Sequence, residues 1–233
     1  MINKDKHWYQ KWWGVLILLL VAFVLAFFLA FAVYVWNFTK TLPSNTSLNY
    51  LAPPESADLQ LIEGLGSNSF GTSKPQITIV EFGDFACPYC QKSFSTIREL
   101  STKHYDKIRY IYRDYPVVTE YSLKLALASR CAGDQGLYWP MHDKLFINQG
   151  VTSDEELENI AKQIGADLSK FSPCLRTEKH LDIIRKDISD ADQLGVSGTP
   201  TWFINGHELP GYIPHDIFVE TIEKILQKTN NGQ

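Results

Sequence analysis

The residues with the clearest chemical meaning are Cys87 and Cys90, separated by Pro88 and Tyr89. Disulfide exchange proceeds by attack of a thiolate, so a cysteine pair becomes a redox centre when one sulfur is stabilised as an anion. Proline suits the first turn of a helix, because its missing N–H has no partner there in any case. Cys-Pro-Tyr-Cys therefore reads as a helix start, with Cys87 where N–H groups converge and favour the thiolate. Cys87 is then the nucleophile. Cys90, three residues further on, is the less exposed thiol that resolves a mixed disulfide. The pair could also be half of a zinc site, but that needs a second Cys/Cys or Cys/His cluster at short spacing. Cys131 and Cys174 are isolated in sequence, and the histidines form no such pattern. A purely structural disulfide is the remaining alternative, and so tight a loop makes a labile bridge rather than a staple.

This motif needs a strand before it and a helix after it. Gln76–Phe82 is short, β-branched and mostly apolar, as a buried strand is. The helix runs from Pro88 to about His104, and Ile108–Arg113 alternates as a second strand. Helical stretches follow at Ser122–Gly133, Tyr138–Asn148, Ser153–Ile164 and Glu178–Leu194. Ser153 with Glu156 forms a capping box for the third. Thr201–Ile204 is a third strand, able to pair with His207–Leu209 across the Asn205-Gly206 turn, and Pro214–Lys228 is a final amphipathic helix.

The whole chain sets the context. Its 233 residues are 45% hydrophobic and 21% charged, the composition of an ordered globular protein. Residues 1–40 carry a net +3, while the remainder carries −7, which argues against nucleic acid as a partner. Gly14–Trp36 is a 23-residue run without a charge. At about 1.5 Å per residue it spans a hydrocarbon core of about 30 Å. Trp12, Trp13, Tyr34 and Trp36 mark its ends, as interfacial aromatics do. A cleaved signal peptide has a shorter apolar region and a small-residue cleavage site, which Tyr34-Val35-Trp36-Asn37 is not. Lys4, Lys6 and Lys11 precede the run and only Lys40 closely follows it, so the N-terminus is expected in the cytoplasm. The expected division is a cytoplasmic N-terminus (1–13), a membrane anchor (14–36), an extracytoplasmic tether (37–73) and a folded domain (74–233). A short helix around Ser56–Glu63 is compatible with the tether.

Val80-Glu81-Phe82-Gly83-Asp84-Phe85-Ala86-Cys87-Pro88-Tyr89-Cys90 resembles the active-site strand and helix start of the DsbA-like thiol–disulfide oxidoreductases. Val196-Ser197-Gly198-Thr199-Pro200-Thr201-Trp202-Phe203-Ile204-Asn205-Gly206 resembles their cis-proline segment. The resemblance covers about residues 70–228 and implies an α/β thioredoxin-like fold with an inserted helical domain, about 117–194. It implies that Pro200 is a cis-proline beside the cysteines and that Thr199 pairs with an extended substrate. It also implies that Glu81 is a buried acid able to exchange a proton with Cys90; the alternative is a carboxylate satisfied at the strand's end. Pro88 and Tyr89 would tune thiolate stability, whereas Asp84 could simply cap the turn.

Cys131 and Cys174 both fall in the helical block. On the oxidising side of a membrane two buried thiols are expected to form a structural disulfide, with a second redox relay as the alternative. No cofactor is expected beyond the Cys87–Cys90 disulfide, and no metal. The expected activity is disulfide formation in secreted or envelope proteins at a bacterial cytoplasmic membrane, on its outer side. Cysteine-containing clients and a membrane redox partner are the expected partners, with the bilayer itself through Gly14–Trp36. A reductase or isomerase kept reduced by a membrane electron donor is the enzymatic alternative, and a non-catalytic peptide-binding holdase is the other.

Overall fold

A computed structural model of the chain describes residues 12–41, 56–64 and 66–231. Residues 1–11 of the expected cytoplasmic segment and 42–55 of the expected tether lie outside the described residues. The chain divides into two units, Met1–Ala52 and Pro53–Gln233. The first contains helix α1, Trp12–Thr41. Within it Val15–Trp36 is long and apolar enough to cross a membrane, and its side chains are exposed on every face. A helix that is apolar all round requires apolar surroundings, which for this length a bilayer supplies.

The second unit is built on a five-stranded mixed sheet. Its strands are β1 (Asn68–Gly71), β2 (Ile77–Gly83), β3 (Ile108–Asp114), β4 (Thr201–Ile204) and β5 (His207–Pro210), in the order β1-β3-β2-β4-β5. Central β2 pairs parallel with β3 and antiparallel with β4. The parallel pair requires a crossover, which is helix α3, Pro88–Lys103. Asn205 and Gly206, both at positive φ, turn β4 into β5.

Alternation along β2 distributes two cores. Ile77 and Ile79, with Tyr110 and Tyr112 of β3, share a core with Ile97 of α3 and with Phe218 and Ile222 of helix α9 (His215–Asn231). Val80 and Phe82, with Ile111 and Phe203, face the opposite core with Ile62 and Ala191. Odd-numbered β2 residues thus point toward α3, and Glu81 is one of them.

Five helices lie between β3 and β4: α4 (Ser122–Gly133), α5 (Tyr138–Ile147), α6 (Asp154–Gln163), α7 (Leu168–Arg176) and α8 (Leu181–Gln193). The Ser153/Glu156 capping box is formed. Helix α7 has no counterpart among the four expected helical stretches. Pro173 in its interior argues against a helix locally. Asp167 caps the segment, and Phe171 and Leu175 bury its apolar face.

The expected boundary at residue 73 needs correction. Helix α2, Ser56–Glu63, and strand β1 belong to the folded unit. β1 carries no apolar alternation and is a strand because β3 offers it a free edge. Phe70 packs 5.8 Å from the Trp139 ring, and Trp139 Nε1 donates to Ser69 O at 3.0 Å. Arg113, fully buried on β3, holds the end of α2 by donating from Nη1 to Leu61 O (2.6 Å) and Ile62 O (3.0 Å).

The same guanidinium donates to Asp187 Oδ1 (2.8 Å) and Asp190 Oδ2 (2.6 Å) of α8, while Arg130 of α4 donates to Asp187 Oδ2 and Asp114 Oδ2. A buried charge pair is strongly destabilising only when one partner is removed, because the other is then left uncompensated. Asp187→Ala strips a partner from two buried arginines. It is expected to cost about 3–5 kcal/mol in urea unfolding; a loss below about 1 kcal/mol would show that the network does not hold α8 to the sheet.

Candidate active site

Strand β2 ends at Gly83, and Asp84 folds the chain into the start of α3. Its carboxylate accepts from Ala86 N (2.8 Å), Val117 N (2.9 Å) and Val118 N (2.8 Å). Asp84 therefore caps the turn and also pins the entrance of the helical insertion beside it. Cys87 is the N-cap of α3, in extended conformation, and Pro88 follows in the first turn. The N-cap side chain makes no capping bond, so the sulfur is left facing the unpaired amides.

Both sulfurs are thiols here, with Cys87 3% exposed and Cys90 1%. The Cys90 thiol, as hydrogen-bond donor, is the main influence holding the Cys87 pKa down to about 6; burial opposes this, and the Thr199 hydroxyl and the Cys90 and Tyr89 amides assist. Burial pushes Cys90 well above its ordinary range, and its donation to Cys87 adds to that shift. The two cysteines thus differ in acidity in the sense expected for nucleophile and resolving thiol.

The Thr199–Pro200 peptide is cis. It sets Thr199 O against the active site, where Cys87 Sγ donates to it at 3.3 Å. Thr199 Oγ1 has no hydrogen-bond partner while Cys87 is a thiol. Glu81 is 2% exposed, and burial raises its pKa to about 8. Tyr110 Oη donates to Glu81 Oε2 at 2.6 Å, and the Cys90 thiol is near enough to lower the carboxyl slightly against that burial. A neutral carboxyl beside the resolving thiol is a group able to exchange a proton with it near neutral pH. The structure thus brings Cys87, Cys90, Pro88, Thr199, Pro200 and Glu81 together. Cys131 and Cys174 are joined by a disulfide elsewhere, between α4 and α7.

Two residues absent from the sequence expectations support the site. Gln149 Nε2 donates to Phe85 O (3.0 Å) and Cys87 O (2.9 Å), tying the cysteine loop to the insertion. No local signal marks this loop glutamine. Tyr110, which holds Glu81, was discoverable from alternation, since it lies on the α3 face of the neighbouring strand. Exposed apolar side chains lie on the segments tied to the cysteine loop: Tyr89, 6.3 Å from Tyr212, then Val117 and Val118, whose amides bind Asp84, and Ile147 at the end of α5.

The fold and this site define a thioredoxin-fold protein of the DsbA-like thiol–disulfide oxidoreductase class. The chain belongs to the thioredoxin family, whose model, described as Thioredoxin, matches residues 65–226. Among solved structures, the thiol–disulfide exchange protein alpha-DsbA2 from Wolbachia pipientis is 26% identical with a TM-score of 0.66, covering 73% of this chain and 92% of that one. BdbD from Bacillus subtilis is 25% identical with a TM-score of 0.62, covering 70% and 94%. A curated relative, Na(+)/H(+) antiporter NhaA 1 of Salinispora arenicola, is 39% identical over 143 residues, 60% of this chain. NhaA 1 of Mycolicibacterium gilvum is 30% identical over 194 residues, 80% of this chain. The chain spans only 22% and 30% of the length of these two antiporters.

Glu81 gives a pH test. When both cysteine pairs are disulfides no thiol titrates, and burial, the largest cause of the Glu81 shift, still holds the folded carboxyl above its ordinary value of 4.5. Between the unfolded pKa and the raised folded one the folded state retains a proton that the unfolded state has lost, so stability falls as pH rises. Glu81→Gln, which still offers Tyr110 an acceptor, is expected to be the more stable protein at pH 8, by about 1.4 kcal/mol for each unit by which the folded pKa is raised. The two proteins are expected to converge below pH 5, and parallel curves across the range would refute the raised pKa.

Proposed function

We propose that this protein is a membrane-anchored, extracytoplasmic oxidase of protein thiols. The observation that carries the reading is the acidity of Cys87 at the N-terminus of α3. A dithiol whose nucleophile is stabilised as a thiolate is a poor reductant, and its disulfide is correspondingly oxidising.

A client thiolate attacks Cys87 Sγ in the Cys87–Cys90 disulfide, forming a mixed disulfide and releasing Cys90 as a thiolate. Glu81 supplies the proton that Cys90, with its raised pKa, readily takes. A second client thiolate attacks the client sulfur of the mixed disulfide. The client leaves with its own disulfide, and Cys87 departs as the thiolate held by α3 and Thr199. Two electrons have passed from client to enzyme, and a membrane redox partner removes them. The extended client pairs with the backbone at Thr199 and rests on the exposed side chains of Tyr89, Val117, Val118 and Ile147. Helix α1 keeps the domain at the membrane, and the basic residues preceding it support an outward-facing domain.

Equilibration with glutathione buffers is expected to give a potential more oxidising than about −200 mV; a value near that of thioredoxin, about −270 mV, would overturn the oxidase reading in favour of a reductase. In cells, Cys90→Ala is expected to accumulate mixed disulfides with clients and Cys87→Ala to accumulate none. Equal trapping by both would reverse or void the assignment of the nucleophile.

A further inference from the structure

The disulfide Cys131–Cys174 occupies an unusual setting for a structural staple. Cys131 lies in the last turn of α4 and Cys174 near the end of α7, with Cα atoms 5.8 Å apart. The bond borders a surface cavity of about 440 Å³ that is also lined by Asp134, Lys170 and Lys179. His180 is brought to the same place by a tight reversal of the chain. Glu178 adopts a left-handed conformation (φ 49°), with Glu178 N donating to Leu175 O and Lys179 N to Cys174 O, each at 3.1 Å. This is a Schellman closure without its usual glycine. A nitrogen of His180 and both sulfurs lie within 4.8 Å of one another. Asp134 Oδ2 completes the group, 3.0 Å from His180 Nε2 and 3.8 Å from Cys174 Sγ. Two sulfurs, an imidazole and a carboxylate, separated in sequence, converge on one point.

We propose that Cys131, Cys174, His180 and Asp134 form a redox-switched metal site. When the disulfide is reduced, it binds a thiophilic divalent cation of the zinc type. The donor set favours this class of ion: two thiolates and an imidazole suit zinc, and a carboxylate is an accepted fourth ligand. At zinc–sulfur bonds of about 2.3 Å, tetrahedral geometry sets the sulfurs about 3.8 Å apart.

A partner dithiol reduces Cys131–Cys174, becoming a disulfide as two electrons and two protons pass to the cysteines. The cation then displaces both protons to solvent and takes the two thiolates. Oxidation reverses the step: a partner disulfide accepts the two electrons, the sulfurs rejoin and the cation leaves. Lys179 Nζ, now 2.7 Å from Asp134 Oδ2, must yield its place. Its side chain is 58% exposed, so it can swing aside and still neutralise the negative charge that two thiolates and a carboxylate leave beyond the cation.

The test uses the full-length Cys87→Ser/Cys90→Ser protein in detergent, where Cys131 and Cys174 are the only thiols. After reduction with a phosphine under anaerobic conditions, Co²⁺ is titrated. One equivalent is expected to give thiolate charge-transfer absorption with the visible bands of tetrahedral cobalt, and Zn²⁺ is expected to displace it. The disulfide form is expected to give neither. His180→Ala and Asp134→Asn are each expected to weaken cobalt binding at least tenfold, and Lys179→Met to tighten it by freeing the carboxylate. Zn²⁺ is expected to raise the melting temperature of the reduced protein alone. The proposal is overturned if the reduced protein gives no tetrahedral cobalt spectrum, folded or not, or if His180→Ala binds as tightly as its parent.

Discussion

At Cys87 and Cys90 two sulfurs three residues apart are given opposite acidities, and much of the domain serves that difference. A helix N-terminus attracts negative charge, but burial repels it. Cys87 stands where the Cys90 thiol, assisted by the Thr199 hydroxyl and unpaired amides, offsets its burial, and its pKa falls to about 6. Cys90, one turn into α3, has lost that access, and burial dominates. Near neutral pH the reduced pair therefore holds one negative charge, localised on the outer sulfur. Sheet alternation adds the third partner: because odd-numbered residues of β2 face α3, Glu81 is delivered beneath Cys90 and held there by Tyr110.

The helical insertion is fastened to this arrangement at two depths. At the surface, Asp84 takes the amides of Val117 and Val118, and Gln149 grips the carbonyls of Phe85 and Cys87. Gln91 Nε2 adds a bond to Phe146 O at 2.9 Å. Deeper, Arg113 and Arg130 link β3, α4 and α8 through three aspartates, and Arg113 holds α2 through the carbonyls of Leu61 and Ile62. Charges buried this deeply gain little over apolar packing, but they have one satisfied arrangement, and that selects a single docking of α8 on the sheet. The exposed Val117 and Val118 thus stand on backbone held by Asp84.

How much of this was legible in the sequence follows from how local each signal is. The Cys-Pro-Tyr-Cys helix start, the Asn-Gly hairpin and the Ser153/Glu156 capping box are written within a few residues, and each has its structural counterpart. The resemblance carried the cis-proline and the buried acid, both of which depend on contacts distant in sequence. β1 was hidden because its strand character comes from its partner: four residues containing Ser, Asn and Gly pair only where β3 leaves an edge. α7 was hidden because Pro173 speaks against a helix locally, while the packing of Phe171 and Leu175 speaks for one only after folding. Gln149 and Arg113 had no local signature at all, since a glutamine in a loop and an arginine in an alternating strand suggest exposure by default.

The two cysteine pairs show the helix dipole acting in opposite senses within one domain. Cys87 begins a helix, where positive potential favours the thiolate. Cys131 and Cys174 lie toward the C-terminal ends of α4 and α7, where exposed carbonyls disfavour negative charge. Reducing the second pair in isolation would create two thiols with no stabilised anion between them, so rejoining as a disulfide is the natural resting state. Two stable thiolates there require a compensating cation within bonding distance. Lys179 is engaged by Asp134, and His180 presents a nitrogen to the same carboxylate. A divalent ion coordinated by the nitrogen, the carboxylate and both sulfurs supplies the missing positive charge at the point where the dipoles oppose it. The same polarity that makes the first pair reactive therefore leaves the second pair as neutral thiols on reduction and makes its thiolates depend on a ligand.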